Sequence, residues 1–233
     1  MKALVIGDLH GDFSVLDVLS AEAGDIVIIL GDAAFLYCGD ETEIEEIRRL
    51  SRYPFLIAFL DGNHDNLPLI ERYPTEMWMG GPVHRLSPAL IHLIRGSIYT
   101  INGQRFFVFG GGVSADKVNR KEGIDYWRKE MPSPEEFDSA WENLIKHDFH
   151  VDYILCHTAP TDAVNALRGS LKHPDEEPLN NFLLKVRRST DYKRLLFGHF
   201  HRDCELPCRQ TAVFRRPTVI DLGPAYKDDF QTV

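Results

Sequence analysis

The chain has 233 residues, of which 44% are hydrophobic and 26% are charged, close to the averages of soluble globular proteins. This composition excludes a disordered chain and a fibrous repeat. The 26 basic and 35 acidic residues give a net charge of −9, so no basic surface dominates as it does in proteins that grip long nucleic acids. Small anionic substrates remain compatible with this charge, because a local metal or cationic site outweighs a distant negative balance.

The first sixty residues alternate predicted strands and helices. Hydrophobic periodicity predicts strands over residues 2–6, 26–30 and 55–60, with helices over 13–21 and 41–51 between them. This βαβαβ pattern indicates a parallel sheet with crossover helices. A glycine and then an acidic or amide residue follow each strand, at the sheet edge where open α/β sheets bind ligands.

The rest of the chain predicts a second group of elements. Several short strands lie within 83–109, and the pair Asn102-Gly103 predicts a hairpin between strands 97–101 and 105–109. A glycine turn at 110–112 follows, and Ser133 with Glu136 predicts a capping box that opens a helix to about residue 146. Further strands are predicted over 153–156, 194–197, 211–215 and 218–222, further helices over 67–72, capped by Asp65, and 179–188.

We expect a single domain over residues 1–233, because internal repeats and linkers are lacking in the sequence. The polar, tryptophan-containing stretch 116–150 is a candidate lid-like insertion. The apolar run at 3–6 is too short for export or membrane spanning, which favours the cytoplasm. We therefore expect free thiols at Cys38, Cys156, Cys204 and Cys208; a structural metal at the last two is the alternative.

Five polar clusters follow predicted strands. They are Asp8-x-His10, Asp32, Asn63-His64-Asp65, His157 and His199-x-His201. Each alone is weak, since an aspartate after a strand is usually a turn former and a lone histidine is usually structural. Together they place carboxylate, imidazole and amide groups at one rim, and these are ligands that divalent transition metals accept. The other five histidines lie in ordinary contexts: His84, His92, His147, His150 and His173.

The order of these clusters closely resembles the calcineurin-like metallophosphoesterase superfamily, in particular a bacterial and phage-type branch. The matching segments are Gly7-Asp8-Leu9-His10-Gly11, Gly31-Asp32, Gly62-Asn63-His64-Asp65, Cys156-His157 and Gly198-His199-Phe200-His201. The resemblance spans most of the chain. It implies a mixed α/β fold, a four-layer α/β/β/α sandwich of two mixed sheets flanked by helices.

The resemblance also implies two divalent metal ions, with manganese expected first and iron, zinc, nickel or cobalt as alternatives. One ion would be held by Asp8, His10, Asp32 and His201, and the other by Asp32, Asn63, His157 and His199. Asn63 suits a ligand position because its oxygen adds no negative charge. The implied reaction is hydrolysis of phosphomonoesters or small phosphodiesters by a metal-bridging hydroxide. His64 is the implied general acid, with a metal ligand or a supporting hydrogen-bond donor as its alternative role.

One motif departs from the protein phosphatases of this superfamily. Phe35 and Leu36 stand where those enzymes have the aspartate that orients the catalytic histidine and the arginine that grips phosphate. A protein phosphatase activity is therefore not expected. Lys117 and Arg120, after the glycine turn, are the candidate phosphate contacts, and solvated side chains are the alternative.

The substrate pocket and the function class have alternatives. Four aromatic residues are either a nucleobase-stacking pocket or ordinary core, namely Phe35, Tyr37, Tyr126 and Trp127. The expected partner is a small phosphoester, with neither a membrane nor extended nucleic acid, and the oligomeric state stays open. A nuclease or DNA-repair phosphodiesterase is one alternative function, and a non-catalytic scaffold is another. The complete ligand set argues against a scaffold, and the lack of a basic stripe argues against a nuclease.

Overall fold

The computed structural model describes residues 1–167 and 173–224, which form two mixed β-sheets. The first sheet contains β1 (Lys2–Ile6), β2 (Ile26–Ile29), β3 (Leu56–Phe59), β4 (Thr75–Trp78), β5 (Gly81–Ser87), β6 (Leu90–Leu93) and β13 (Thr218–Asp221). The second contains β7 (Ile98–Ile101), β8 (Gln104–Phe109), β9 (Tyr153–Cys156), β10 (Arg194–Phe197), β11 (Cys204–Leu206) and β12 (Gln210–Ala212).

Both sheets have a parallel centre. The first has the order β13-β1-β2-β3-β6-β5-β4, in which β1, β2, β3 and β6 are parallel. The second has the order β11-β12-β10-β9-β8-β7, in which β8, β9, β10 and β12 are parallel. The carboxyl ends of parallel strands lie at one edge of a sheet, so the loops after β1, β2 and β3 share an edge, as do those after β8, β9 and β10.

The helices of the described residues lie on the outer faces of the sheets. The α-helices are α1 (Ser14–Val18), α2 (Glu41–Leu50), α3 (Leu67–Ile70), α4 (Pro134–Lys146), α5 (Thr161–Ala166) and α6 (Glu177–Ser189). Short 3₁₀ helices occupy Lys117–Asn119, Arg128–Glu130 and Pro174–Glu176. Within residues 1–167 and 173–224, none of these helices combines the length and apolar character that a bilayer span requires.

Three apolar layers hold the fold together. Alternate residues of a strand point to opposite faces, so Ala3 and Val5 of β1 pack between the sheets, whereas Leu4 and Ile6 pack with the α1–α3 side. The outer face of the second sheet is covered by α4, α5 and α6, for example through Leu144. This arrangement confirms the predicted four-layer sandwich.

Several local predictions are confirmed. The hairpin between β7 and β8 turns at Asn102 and Gly103, whose φ angles of 48° and 78° fit a tight two-residue turn. Ser133 and Glu136 form both hydrogen bonds of the capping box at the start of α4. Turn and cap residues are therefore readable from sequence, because their side chains or backbone angles act locally.

Other boundaries differ from the predictions. The helix predicted over 13–21 is only Ser14–Val18, because the chain becomes extended at Leu19. The strand predicted over 211–215 is Gln210–Ala212, and β4, α5 and β11 were not predicted. Strand β4 is largely exposed and pairs only with β5, so it lacks the hydrophobic alternation that marks a strand.

The candidate lid-like stretch 116–150 has two structurally different parts. Residues 134–146 are helix α4, whose Ala140 and Leu144 are fully buried in the outer core layer. Residues 116–131 precede that layer, and their carboxyl end is fixed because Arg95 Nη2 donates to the Lys129 carbonyl at 2.7 Å. A single domain with a lid over the site stays a prediction.

The four cysteines are free thiols, as predicted. Cys156 is completely buried at the end of β9, and burial raises the pKa of its thiol. The cytoplasmic location that motivated this prediction stays a prediction.

A buried charged cluster lies behind the loop that follows β3. Asp61 is fully buried and accepts hydrogen bonds from Arg95 Nε at 2.9 Å and Arg95 Nη2 at 2.5 Å. His92 Nε2 lies 3.2 Å from the same carboxylate, and His92 Nδ1 lies 3.1 Å from His84 Nδ1. Burial alone would raise the pKa of Asp61, but the charges of Arg95 and His92 outweigh burial and hold that pKa well below its ordinary value.

We expect Arg95→Met to destabilise the fold, because it leaves the Asp61 carboxylate buried without its cation. The expected loss is about 3–5 kcal/mol of unfolding free energy, measured by urea denaturation. Arg85→Met is the matched control: Arg85 pairs with Glu76 at 2.6 Å with its side chain 28% exposed, so its loss should cost at most about 1 kcal/mol. Equal losses in the two variants would contradict the importance of the buried pair.

Candidate metal centre

The loops at the carboxyl ends of both sheets meet and hold one another through the predicted site residues. The His199 N–H, after β10, donates to both carboxylate oxygens of Asp8, after β1, at 3.0 Å. The His64 N–H donates to Asp32 Oδ1 at 2.7 Å, and the His10 N–H donates to the Asp32 carbonyl at 2.8 Å. The five polar clusters are therefore spatial neighbours.

Four of these residues have a strained backbone. His10, Asp32, His199 and His201 have φ angles between 49° and 64°, in the left-handed region that residues with a side chain seldom adopt. Such strain is concentrated at functional sites, where surrounding contacts enforce it. Crowding also requires glycine at position 62, where a Cβ atom would lie 2.2 Å from Asp32 Oδ1.

The first predicted set of ligands comes together at the outer side of the site. The donor atoms of Asp8, His10 and His201 all lie within 4.8 Å of one another. His10 Nε2 is 3.0 Å from His201 Nε2 and 4.0 Å from Asp32 Oδ2, and His201 Nε2 is 3.9 Å from Asp8 Oδ1. These four side chains form what we call the first donor group.

The second predicted set is more deeply buried. His157 Nε2 lies 3.0 Å from Asn63 Oδ1 and 3.5 Å from Asp32 Oδ1, and Asp32, His157 and His199 also meet within 4.8 Å. His157 Nδ1 lies 2.7 Å from the Leu30 carbonyl, which accepts its proton and leaves the Nε2 lone pair facing the site. We call Asp32, Asn63, His157 and His199 the second donor group.

The donor geometry fits divalent transition ions. Two ligand atoms bound at right angles, about 2.1 Å from an ion, lie about 3 Å apart. The 3.0 Å separations of His10 from His201 and of His157 from Asn63 match that value. Mixed imidazole nitrogens and carboxylate or amide oxygens are the donors that manganese, iron and zinc accept.

The electrostatics of the site also favour cations. Burial raises the pKa of Asp8 to about 7, and the charge of Asp65 adds to this. Burial likewise raises the pKa of Asp32 well above its ordinary value, together with the charges of Asp8 and Asp65. Burial lowers the pKa of His157, so that its imidazole is neutral, as a metal ligand must be. Divalent cations would compensate the clustered carboxylates.

His64 lies between the donor groups and a guanidinium. Arg120 Nη1 lies 3.0 Å from His64 Nδ1, and Arg120 is itself held by Asp116 Oδ1 at 2.7 Å and the Asp125 carbonyl at 3.0 Å. Because a guanidinium only donates, Nδ1 is the acceptor and the imidazole proton is on Nε2, which lies 4.0 Å from Asp32 Oδ2. Burial and the Arg120 charge lower the pKa of His64 to about 4.

The glycine turn does not offer its amides to an anion in the way the sequence led us to expect. The N–H groups of Gly111 and Gly112 donate to backbone carbonyls of neighbouring segments at 2.8 and 3.1 Å. Lys117, the other predicted cation, forms an ion pair with Asp175. Of the two predicted phosphate contacts, Arg120 is therefore the one in contact with His64.

The prediction that Asp65 caps the following helix is wrong. Asp65 is buried and accepts the N–H groups of Gly62 and Ala34, both at 2.8 Å, so it ties the loops after β2 and β3 together. The cap of α3 is Asn66, whose side chain accepts the Leu69 N–H at 3.2 Å. Both residues are good caps by type, and tertiary contact decides between them.

The four predicted pocket aromatics separate in the structure. Phe35 stacks on Phe13 at 4.8 Å between ring centroids and belongs to the core. Tyr37 and Trp127 meet edge to face at 4.8 Å and line a cavity of about 660 Å³ beside the loop that follows His64. Tyr126 does not line that cavity.

Sequence reasoning gave no role to two residues that touch the second donor group. Ser114 Oγ lies 3.2 Å from Asn63 Nδ2, which orients the Asn63 oxygen toward His157. Glu176 is buried with Oε1 3.4 Å from His199 Nε2. Neither belongs to a cluster after a strand with a flanking glycine, which was the only signal used.

Comparison with known proteins identifies the family. The calcineurin-like phosphoesterase family profile matches residues 1–203, which include every member of both donor groups. The chain belongs to this family. A solved phosphoesterase-like fold, TT1561 of Thermus thermophilus, superposes with a TM-score of 0.51 at 14% identity, covering 95% of this chain and 99% of that one. Phosphopantetheinyl hydrolase (PptH) from Mycobacterium tuberculosis gives a TM-score of 0.46 at 16% identity, covering 91% and 89%. No curated protein matches this chain.

The raised pKa of Asp8 predicts that metal-free Asp8→Asn is more stable than the wild type at neutral pH. The folded chain retains the Asp8 proton up to about pH 7, whereas the unfolded chain loses it near 3.8, so wild-type stability falls as pH rises between these values. In chelator above pH 7, we expect a gain on the order of 2 kcal/mol that disappears as the pH is lowered toward 4.

Urea unfolding of both proteins across this pH range, with and without Mn²⁺, checks the prediction. Added Mn²⁺ should stabilise the wild type much more than Asp8→Asn, because the variant lacks one carboxylate ligand. Asp138→Asn, a change on α4 away from the site, should show neither effect. An Asp8→Asn variant that is no more stable than wild type in chelator at neutral pH would contradict the electrostatic account.

Proposed function

We propose that this calcineurin-like phosphoesterase is a dinuclear metal-dependent enzyme that hydrolyses phosphomonoesters or small phosphodiesters. The observation that carries the proposal is that two donor groups share the buried carboxylate of Asp32. One carboxylate with an oxygen near each group is what a bridging ligand between two ions requires. Family membership supports phosphoester hydrolysis, and the donor groups support metal dependence.

Each donor group would hold one ion. Asp8, His10, Asp32 and His201 would hold the first, and Asp32, Asn63, His157 and His199 would hold the second. Two divalent cations about 3.5–4 Å apart supply charge stabilisation to phosphoryl oxygens and lower the pKa of a bound water that serves as nucleophile. We propose manganese as the ion in both positions, with iron, zinc, nickel or cobalt as substitutes of similar ligand preference.

His64 is the proposed general acid. Its Nε2 atom faces the donor groups, and Arg120 at Nδ1 keeps the single proton of the neutral ring on Nε2. A phosphate group that binds beside the ring carries the opposite charge to Arg120 and raises the pKa of His64. The imidazole then takes up a second proton with the substrate and donates one to the leaving oxygen.

Arg120 is the proposed phosphate contact. Its planar guanidinium is suited to bidentate binding of phosphate oxygens, and its position beside His64 places it at the donor groups. Lys117 is a weaker candidate, because Asp175 already neutralises its charge. The cavity beside Tyr37 and Trp127 is the proposed space for the leaving group, with aromatic stacking as one way to hold it.

Activity with Mn²⁺ on mono- and bis-para-nitrophenyl phosphate tests the proposal. We expect the wild type to hydrolyse at least one of them, and Asp32→Ala to show only background because both donor groups lose their shared ligand. The Asp138→Ala variant, changed on α4 away from the site, should retain full activity. Equal background from wild type and Asp32→Ala would favour a scaffold, and rapid Asp32-dependent cleavage of DNA in place of small esters would favour a nuclease.

The role of His64 predicts a dependence on the leaving group. We expect His64→Ala to bind two Mn²⁺ ions per chain but to lose about 10²–10⁴-fold in kcat/KM for alkyl phosphates, whose leaving oxygens need protonation. Para-nitrophenyl esters should lose less, because their leaving group departs as a stable anion. His150→Ala, with an imidazole 56% exposed on the surface, is the matched control. Loss of a bound ion in His64→Ala would instead make His64 a ligand.

A further inference from the structure

Glu176 is a buried carboxylate at the candidate metal centre that lies outside all five polar clusters. It ends the 3₁₀ helix Pro174–Glu176, and only 1% of its surface is exposed. A buried carboxylate is costly unless hydrogen bonds or a cation compensate it. Its contacts therefore indicate what keeps it there.

Hydrogen bonds from three separate segments hold both oxygens of Glu176. Oε1 accepts the Val113 N–H at 2.8 Å, and Oε2 accepts the Thr158 hydroxyl at 2.8 Å and the Asn180 side-chain amide at 3.2 Å. Oε1 also lies 3.4 Å from His199 Nε2. The carboxylate is thus fixed by the protein with one oxygen next to a proposed metal ligand.

The position of Glu176 distinguishes the two ring nitrogens of His199. The His199 ring centroid is 4.9 Å from that of His157, and a ring nitrogen of His199 meets Asp32 in the second donor group. A carboxylate only accepts hydrogen bonds, so it favours a proton on Nε2 and leaves the lone pair on Nδ1. A carboxylate placed behind a metal-binding histidine in this way also makes the imidazole a stronger ligand.

We propose that Glu176 is a positioning residue that fixes His199 in its Nε2–H tautomer and thereby strengthens binding of the second ion. The inference rests on the proposed function, because it takes His199 as a ligand of that ion.

The rest of the second donor group is also held from behind. A backbone carbonyl holds His157, and Ser114 Oγ holds the Asn63 amide at 3.2 Å. In the first donor group, by contrast, the side chains of His10 and His201 are 38% and 48% exposed. Ligands fixed before binding lose less freedom when an ion arrives. The second donor group is therefore the tighter of the two.

Calorimetric titration of metal-free protein with Mn²⁺ tests the effect on affinity. The wild type should show a tighter and a weaker class of site. In Glu176→Gln the tighter class should weaken by about 10–100-fold while the weaker class stays unchanged. Glu177→Gln, an exposed change at the next residue, should match the wild type. Unchanged affinity of the tighter class in Glu176→Gln would overturn the proposal.

A spectroscopic measurement tests the tautomer without any metal or substrate. Long-range ¹H–¹⁵N spectra of the metal-free protein at alkaline pH, where imidazole is neutral, distinguish the two tautomers, and His199→Gln identifies the His199 signals. We expect wild-type His199 to be in the Nε2–H form and Glu176→Gln to shift it toward the Nδ1–H form. An unchanged tautomer would overturn the positioning role, whether or not the protein proves to be a phosphoesterase.

Thr158→Val keeps the proposal testable if Glu176→Gln does not fold. This variant removes one hydrogen bond to Oε2 of Glu176 and leaves the carboxylate and its charge in place. We expect the tighter Mn²⁺ class to weaken, by less than in Glu176→Gln, with the weaker class unchanged. Equal weakening of both classes would show a general structural effect and overturn the proposal.

Discussion

The structure is organised around a repulsion between buried carboxylates that the protein does not itself neutralise. Asp8, Asp32 and Asp65 are each at most 2% exposed, and burial and mutual charge raise their pKa values. Backbone amides from neighbouring loops hold all three in place, among them the His64 and His199 N–H groups. The fold thereby maintains a concentration of negative charge at the junction of two sheets, which only a strongly positive ligand compensates fully.

The sequence was most informative where function is encoded by short segments at strand ends. A strand fixes the direction of the residues that follow it, so clusters such as Asp8-x-His10 and His199-x-His201 could be assigned to one rim before any tertiary contact was known. Residues that act through tertiary contact alone could not be found in this way. Glu176 reaches the site from a 3₁₀ helix, and Asp65 resembles an ordinary helix cap.

The buried cluster of Asp61, Arg95 and His92 shows the same limit. None of these residues stands in a recognisable pattern, and His92 looked unremarkable in sequence. The structure brings them together because β3 and β6 are neighbours in the first sheet, which the local pattern could not specify. Sequence periodicity thus predicted the layers of this protein well and the polar contacts between its layers poorly.

The environment of His64 separates this chain from the protein phosphatases that its motifs resemble. Where those enzymes have a carboxylate to orient the catalytic histidine, this chain has Phe35, which packs in the core against Phe13. The contact to His64 Nδ1 comes instead from Arg120, of opposite charge. A carboxylate partner stabilises an imidazolium before substrate arrives, whereas a guanidinium disfavours it. Protonation of His64 is thereby coupled to the arrival of an anion.

The setting of Asn63 has a consequence for how the protein ages. Asparagine deamidates when the backbone nitrogen of the next residue attacks its side-chain carbonyl carbon and forms a cyclic imide. Here that nitrogen belongs to His64 and is bound to Asp32 Oδ1, while Ser114 and His157 hold the Asn63 amide on both sides. Ring closure requires all these contacts to break together. The one amide whose hydrolysis would add another negative charge among the carboxylates is therefore shielded from this damage by the same contacts that aim its oxygen.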